Sequence, residues 1–418
     1  MFSNEAVVLG ILLLWIAIVF QTEKKESWKR FYQIFPPILL CYFVPSLFNM
    51  VWFADTAWAF RLISGDEKGG SQLYGIVANY LLPSSLILLT ISMDLKAIAQ
   101  LGTKAVLVFL AGTVGVIVGA PLAMLIVGSF APETVQGEVW RGLATIAGSW
   151  IGGSANQTAM KEVFAVPEAV FSMMIAVDVL VANVWMAFLL YGAGKAETMN
   201  RWLRADNQLI EEIQTRMASY QASITRPATL TDLITIVAIG FAGTGLSHAC
   251  ADAIVPFIQT NAPYLSQFSL TSKFFWVVVL ATTFGMLASL FPSVRRLEGA
   301  GASKIGSVFL YLMIATIGMK MNVLAITENM GLFLVGVIWM LIHGLIIFGV
   351  ARLLRAPFFF VAVGSQANIG GASSAPVVAS AFHPSLASVG VLLAVLGYAL
   401  GTYGGWLAGM LMQWLATP

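Results

Sequence analysis

Gly148-Ser-Trp-Ile-Gly-Gly-Ser-Ala-Asn156-Gln157-Thr-Ala159 is too polar for an ordinary membrane helix and too apolar for a solvated loop. A stretch of the same character, Gly364-Ser-Gln-Ala-Asn368-Ile-Gly-Gly-Ala-Ser-Ser-Ala-Pro376, lies in the other half of the chain. What surrounds them settles the class. The chain has 418 residues, 59% hydrophobic and 10% charged, where soluble domains carry ~25% charged residues. Mean hydropathy is +0.86. This excludes a soluble enzyme or a disordered chain. The net charge of +2 leaves no basic surface for nucleic acid. Cys41 and Cys250 lie in apolar runs with no metal-ligand spacing and read as core fillers. The protein is a polytopic membrane protein.

A span needs ~20 mostly apolar residues. Ten runs qualify, near 5–21, 33–53, 73–93, 104–130, 167–192, 230–258, 274–291, 305–325, 331–350 and 385–415. The segments 143–165 and 357–382, which contain the two polar motifs, are crowded with Gly, Ser, Asn and Gln, and Pro167 and Pro384 follow them. The first run is not a signal peptide, because its basic flank (Lys24, Lys25, Lys29, Arg30) comes after it. That flank reads as cytoplasmic, which puts the N-terminus outside. If both polar-rich segments are re-entrant, cytoplasmic loops hold 16 of the 22 Lys and Arg, five lie outside, and Lys161 sits within the first segment. If both cross, the balance becomes 9 inside against 13 outside. The bias predicts ten crossings and two re-entrant elements, with both termini outside.

The halves echo one another. Ile91-Ser-Met-Asp-Leu-Lys-Ala-Ile98 matches Ile317-Gly-Met-Lys-Met-Asn-Val-Leu324, and each block precedes one long span and then a polar-rich segment. Five crossings per half start the second half on the opposite side, which makes an inverted repeat. The expected organisation is residues 1–192 as the N-terminal repeat, 193–229 as a cytoplasmic linker and 230–418 as the C-terminal repeat. Leu209, Ile213, Met217 and Tyr220 share one helical face of that linker. Close helix packing would explain the small residues of the motifs, but not the Asn and Gln in both.

Irregular backbone at membrane depth is tolerated only when buried in protein or lining a watery cavity. It frees carbonyls for a cation and amides for an anion. The expected solute-binding residues are Ser154, Asn156, Gln157, Thr158, Ser365, Gln366, Asn368, Ser373 and Ser374. Asp178 lies inside the apolar run 167–192, where an ionisable side chain marks function. It reads as a sodium ligand with Asn156 and Asn368, or as a proton carrier; Asn183 is a weaker member of the same group. Lys161 and Glu162 read as an ion pair or as contacts to an anionic solute. His343 reads as a packing or hydrogen-bonding partner. There is no P-loop, HExxH or GxSxG, so neither ATP-driven transport nor a membrane hydrolase is expected.

On Gly152-Gly-Ser-Ala-Asn156-Gln157 and Gly364-Ser-Gln-Ala-Asn368-Ile-Gly-Gly371, the chain resembles the "domain of unknown function 819" (YjcL-like) membrane family over residues 5–415. More broadly its layout resembles the sodium–glutamate symporters and the 2-hydroxycarboxylate transporters. That resemblance implies an all-α protein of two inverted five-helix repeats, each with a Gly-rich re-entrant or broken helix. It also implies elevator-type motion, a homodimer in the bacterial inner membrane, and Na+ (or H+) as coupling ion with no other cofactor. The motifs depart from the GGxG core of those families. The expected function is sodium-coupled symport of a small polar or anionic solute such as an amino acid, small peptide or carboxylate. The alternatives are a cation/proton antiporter using Asp178 and a non-transporting receptor or assembly factor.

Overall fold

A computed structural model describes residues 4–35, 37–49, 72–205, 213, 227–268, 270–320, 329–383 and 386–416. Leu209, Met217 and Tyr220 of the expected linker, and Pro384, lie outside these residues.

The described residues form helices and their connectors. The first half contains α1 (Glu5–Glu23), α2 (Pro37–Asn49), α3 (Leu73–Thr90), α4 (Thr103–Gly128), α5 (Val139–Val163) and α6 (Glu168–Ala193). The second half contains α7 (Leu230–Asn261), α8 (Lys273–Ser289), α9 (Ala302–Lys320), α10 (Gly331–Leu353), α11 (Phe358–Ile369), α12 (Gly371–Ser380) and α13 (Ala387–Ala416). Eight of these helices are long and apolar enough to cross a bilayer. The count rises to ten when α2 and α8 are each joined to the short helix beside them across a sharp bend.

Local chemistry sets the helix ends. The Asn4 side chain accepts from the backbone amides of Ala6 and Val7, and Thr229 and Asp232 form a reciprocal capping box on α7. Pro83 cannot donate to the helix ladder, and α3 passes through a π turn, Val77–Leu81, just before it. Large apolar residues on α7 face outward: Leu230 is 73%, Ile234 60% and Phe257 68% exposed. Water would penalise such a face, whereas lipid or another chain would not.

The polar-rich segments do not run straight. A helix rises 1.5 Å per residue, so residues 148 and 156 of a continuous helix would stand ~12 Å apart. Instead a Cβ placed on Gly148 would lie 2.8 Å from the Asn156 carbonyl oxygen. The Arg141 guanidinium donates to the Phe164 carbonyl at 3.1 Å, so the two ends of α5 also lie side by side. α5 is therefore a helical hairpin that reverses at Gly152 and Gly153. α11 and α12 form a second one: Gln366 donates to Ser374 at 2.7 Å, and the Phe359 and Phe382 rings meet at 5.3 Å across its base. Both reversals use the same backbone. Gly153 has φ +72° and Gly371 has φ +60°, a left-handed conformation that glycine adopts without the clash of a Cβ.

In space the helices sort into two groups, and each group draws on both halves of the chain. α1, α2, α3, α7, α8 and α9 pack together as an outer group. α4, α6, α10 and α13 surround the two hairpins. The spatial division thus cuts across the sequence division at 193–229.

Candidate functional site: two hairpin tips

The two reversals meet. The Cα of Gly153 lies 3.7 Å from the point a Cβ on Gly371 would occupy. The Tyr398 ring of α13 lies over both, with Cε1 3.3 Å and 3.8 Å from the corresponding positions of Gly153 and Gly371. The second arm of each hairpin starts here, so two helix N-termini, whose first amides have no partner within their own helix, converge on one place, and the Ala372 amide donates to the Tyr398 hydroxyl.

The first hairpin is seated on a row of glycines four residues apart: Gly397, Gly401, Gly405 and Gly409 of α13. A Cβ at Gly397 would lie 2.6 Å from the Ile151 carbonyl oxygen, and one at Gly405 would lie 2.9 Å from the Cα of Gly148. A glycine repeat at this spacing is the usual device for close helix approach in membranes. Neither this row nor Tyr398 was among the residues expected from the sequence. The four-residue spacing was the signal available.

Asp178 is buried on α6 and binds both arms of the first hairpin. It accepts from Trp150 Nε1 at 2.6 Å, Ser149 Oγ at 2.7 Å and Gln157 Nε2 at 2.8 Å. Two of these donors, an indole N–H and an amide N–H, offer nothing to a cation. The carboxylate clasps the hairpin to its closing helix. Asn183, five residues on, bonds back within its own helix, to Val179 O at 2.8 Å.

Asn156 and Asn368 are fully buried. Asn156 Nδ2 donates to the carbonyls of Gly152 (2.9 Å) and Tyr398 (3.1 Å), and its oxygen accepts from Thr402 at 2.7 Å. Asn368 Nδ2 donates to the carbonyls of Gly364 (2.9 Å) and Phe109 (3.1 Å), and its oxygen accepts from Thr113 at 2.8 Å. The two asparagines lie on opposite sides of their breaks, Asn156 after one and Asn368 before the other. Aligning the Gly-Gly pairs places Trp150 opposite Asn368.

Ser365 belongs to a buried chain of hydrogen bonds across four elements. Gly112 O can only accept, so His343 Nδ1 is the donor in their 3.0 Å contact. In the neutral ring Nε2 then accepts from Ser365 Oγ at 2.8 Å, and Ser365 accepts from Trp185 Nε1 at 2.7 Å. Thr158 bonds back to Ser154 O at 2.9 Å, and Ser373 to Gly370 O at 2.9 Å. Ser154 and Ser374 are half-buried beside the tips. Gln366 is 2% exposed and its Oε1 has no hydrogen-bond partner. Turning the amide over would only leave its nitrogen in that place.

Lys161, at the base of the first hairpin, is 4% exposed and reaches the outer group. Its Nζ lies 2.7 Å from Tyr74 Oη of α3 and 3.0 Å from Glu168, with Glu162 at 3.5 Å. Tyr74 also donates to Glu162. Among the described residues, no group of three or more His, Cys, Asp or Glu side chains converges as for a divalent metal.

Residues 10–415 match the family described as "Protein of unknown function (DUF819)". The chain is also 24% identical over 349 residues to the "Uncharacterized membrane protein YjcL" of Bacillus subtilis (strain 168), covering 81% of this chain and 83% of that one. With its helices long enough to span a bilayer and a family match over nearly its whole length, the chain is an integral, multi-pass membrane protein belonging to the DUF819 family.

Proposed function

We propose that the protein is a secondary active transporter, a sodium-coupled symporter of a small polar or anionic solute, working by elevator motion in the bacterial inner membrane. The observation that carries this reading is the meeting of two glycine-hinged hairpins, one from each half, at Tyr398. Inverted-repeat transporters build their sites at such an interface, from broken helices whose N-termini face anionic groups. In this reading both hairpins are re-entrant, and a carboxylate lies against the amides that open the two second arms. Ser154, Ser373 and Ser374, among the first residues of the second arms, and the free end of Gln366 would supply its side-chain contacts. Gln157, Thr158 and Ser365 are assigned to holding the hairpins, and Asp178 to clasping the first one rather than to binding sodium. The hairpin-bearing group would move against the outer group, which would form the fixed scaffold of a homodimer.

The test is uptake by proteoliposomes of labelled amino acids, dipeptides and dicarboxylates under an inward sodium gradient. We expect accumulation that collapses with the gradient and falls at least tenfold in Gly153→Val and Gly371→Val, where a β-branched residue is forced to positive φ. Uptake no greater than in protein-free vesicles for every solute would sink the reading. Uptake driven by a pH gradient alone, and lost in Asp178→Asn, would replace it with proton coupling.

A further inference from the structure

The two asparagine amides are held by matching sets of atoms that come from distant parts of the chain. In each set one carbonyl belongs to the asparagine's own hairpin, four residues back: Gly152 for Asn156 and Gly364 for Asn368. The second carbonyl belongs to a long helix, Tyr398 on α13 or Phe109 on α4. The threonine four residues further along that same helix, Thr402 or Thr113, donates to the amide oxygen. A back-bond to residue i−4 is ordinary for a polar side chain in a helix. A second carbonyl and a threonine placed alike on two unrelated helices are not.

We propose that these are two sodium sites, each switched by rotation of its asparagine amide. In this structure the amide nitrogen stands at the focus of two carbonyl oxygens. A half-turn about Cβ–Cγ exchanges Oδ1 and Nδ2. The nitrogen then donates to the threonine hydroxyl, whose own hydrogen has a place to go: Thr402 lies 3.0 Å from Thr282 Oγ1, and Thr113 lies 3.4 Å from Phe109 O. The amide oxygen now joins the two carbonyls, and three buried oxygens face one another; in the Asn368 set the Phe109 carbonyl gives one lone pair to the Thr113 hydroxyl and keeps the other for this meeting. That arrangement is costly unless a cation bridges the three oxygens. Both orientations therefore satisfy every group, one by itself and one with an ion.

The ligand class follows from the charges. Each set is built of neutral oxygens only, whereas protein calcium sites draw on carboxylates. A monovalent alkali ion fits this field, with the remaining coordination positions left to water or solute. The position also matters. Gly152 supplies a carbonyl to one site and is the first residue of the reversal at the tip, so ion occupancy bears directly on the tip's conformation. The assignment rests on the transporter reading for its purpose, the sodium being the coupling ion.

The experiment uses the purified full chain in detergent, melted in sodium, potassium and choline chloride at equal ionic strength. An ion that binds only the folded state raises Tm saturably. We expect a sodium-specific rise. Its apparent affinity should fall at least tenfold in Thr113→Val and in Thr402→Val, where the turned amide has no acceptor, and persist in Thr113→Ser, Thr402→Ser and the control Thr316→Val. Equal shifts in all three salts, or an unaltered sodium response in both valine variants, overturn the assignment. Should the valine variants fail to fold, binding of radioactive sodium to the unsubstituted protein decides, with saturation expected at about two ions per chain and a lower value overturning the pair. Solute flux without sodium binding rejects these sites and spares the transporter. Sodium binding without flux of any solute does the reverse.

Discussion

Asp178 shows how far a single residue can be read from sequence. An ionisable group inside an apolar helix announces importance, and the structure gives it three donors, all from the first hairpin. Its kind of importance was not legible, because Ser149 and Trp150 lie 29 and 28 residues away along the chain and Gln157 lies 21 away on the other arm. Removing the carboxylate in Asp178→Ala leaves three buried donors unpaired, at roughly 1–3 kcal/mol each. The purified variant should melt well below the unsubstituted protein. An unchanged Tm would show that the clasp contributes nothing. Asn156 and Asn368 taught the same lesson. Their type and setting flagged them, but their partners Tyr398 and Phe109 stand 242 and 259 residues away, beyond any local pattern.

Among elements, the hairpins were the most legible, since a Gly-Gly pair inside an apolar run is a backbone signal before it is a chemical one. Charge bias in the loops pointed to chain reversal, and the side-by-side arms of α5 have that geometry. The surface that receives the first hairpin was legible and was missed. Gly397, Gly401, Gly405 and Gly409 repeat every fourth residue, but a hydropathy reading sees only one more apolar span. A side chain at Gly401 would meet the Asn156 amide at 2.6 Å and the Cα of Gly152 at 2.7 Å. Gly401→Leu should overpack this seam and cost ~1–3 kcal/mol or more, because one of the facing atoms is backbone. Gly245 of α7 has nothing within 4 Å of its Cβ position, so Gly245→Ala should leave the melting temperature at or slightly above that of the parent. Equal losses at the two positions would argue against the seam.

For the molecule as a whole, the question is whether the two helix groups move relative to one another. Lys161 and Tyr74 span the boundary between them at 2.7 Å, one on the first hairpin and one on α3. If the groups slide during transport, this contact must break in each cycle. A chain with Cys41 and Cys250 replaced by serine, and carrying Tyr74→Cys and Lys161→Cys, should be joined by a bis-methanethiosulfonate reagent whose spacer takes up the length of the two replaced side chains, since a direct disulfide needs closer backbones. Transport should then stop, and reduction should restore it. Full activity in the cross-linked protein would show that the boundary is not the sliding surface. The division into groups was the least legible feature of all, since each group takes three or more helices from either side of the 193–229 linker. No feature of a helix in isolation says which group it joins.

One contact gives the molecule an optical readout of its own. The indoles of Trp150, on the first hairpin, and Trp339, on α10, lie 4.7 Å apart at 52°, both fully buried. Two such chromophores at that separation couple their electronic transitions. The near-ultraviolet circular dichroism of the unlabelled protein should therefore carry an exciton couplet that disappears in Trp339→Phe. A hairpin that swings away from α10 would quench the couplet, whereas a rigid displacement of both together would leave it intact, so one spectrum recorded with and without sodium separates local gating from bulk translation.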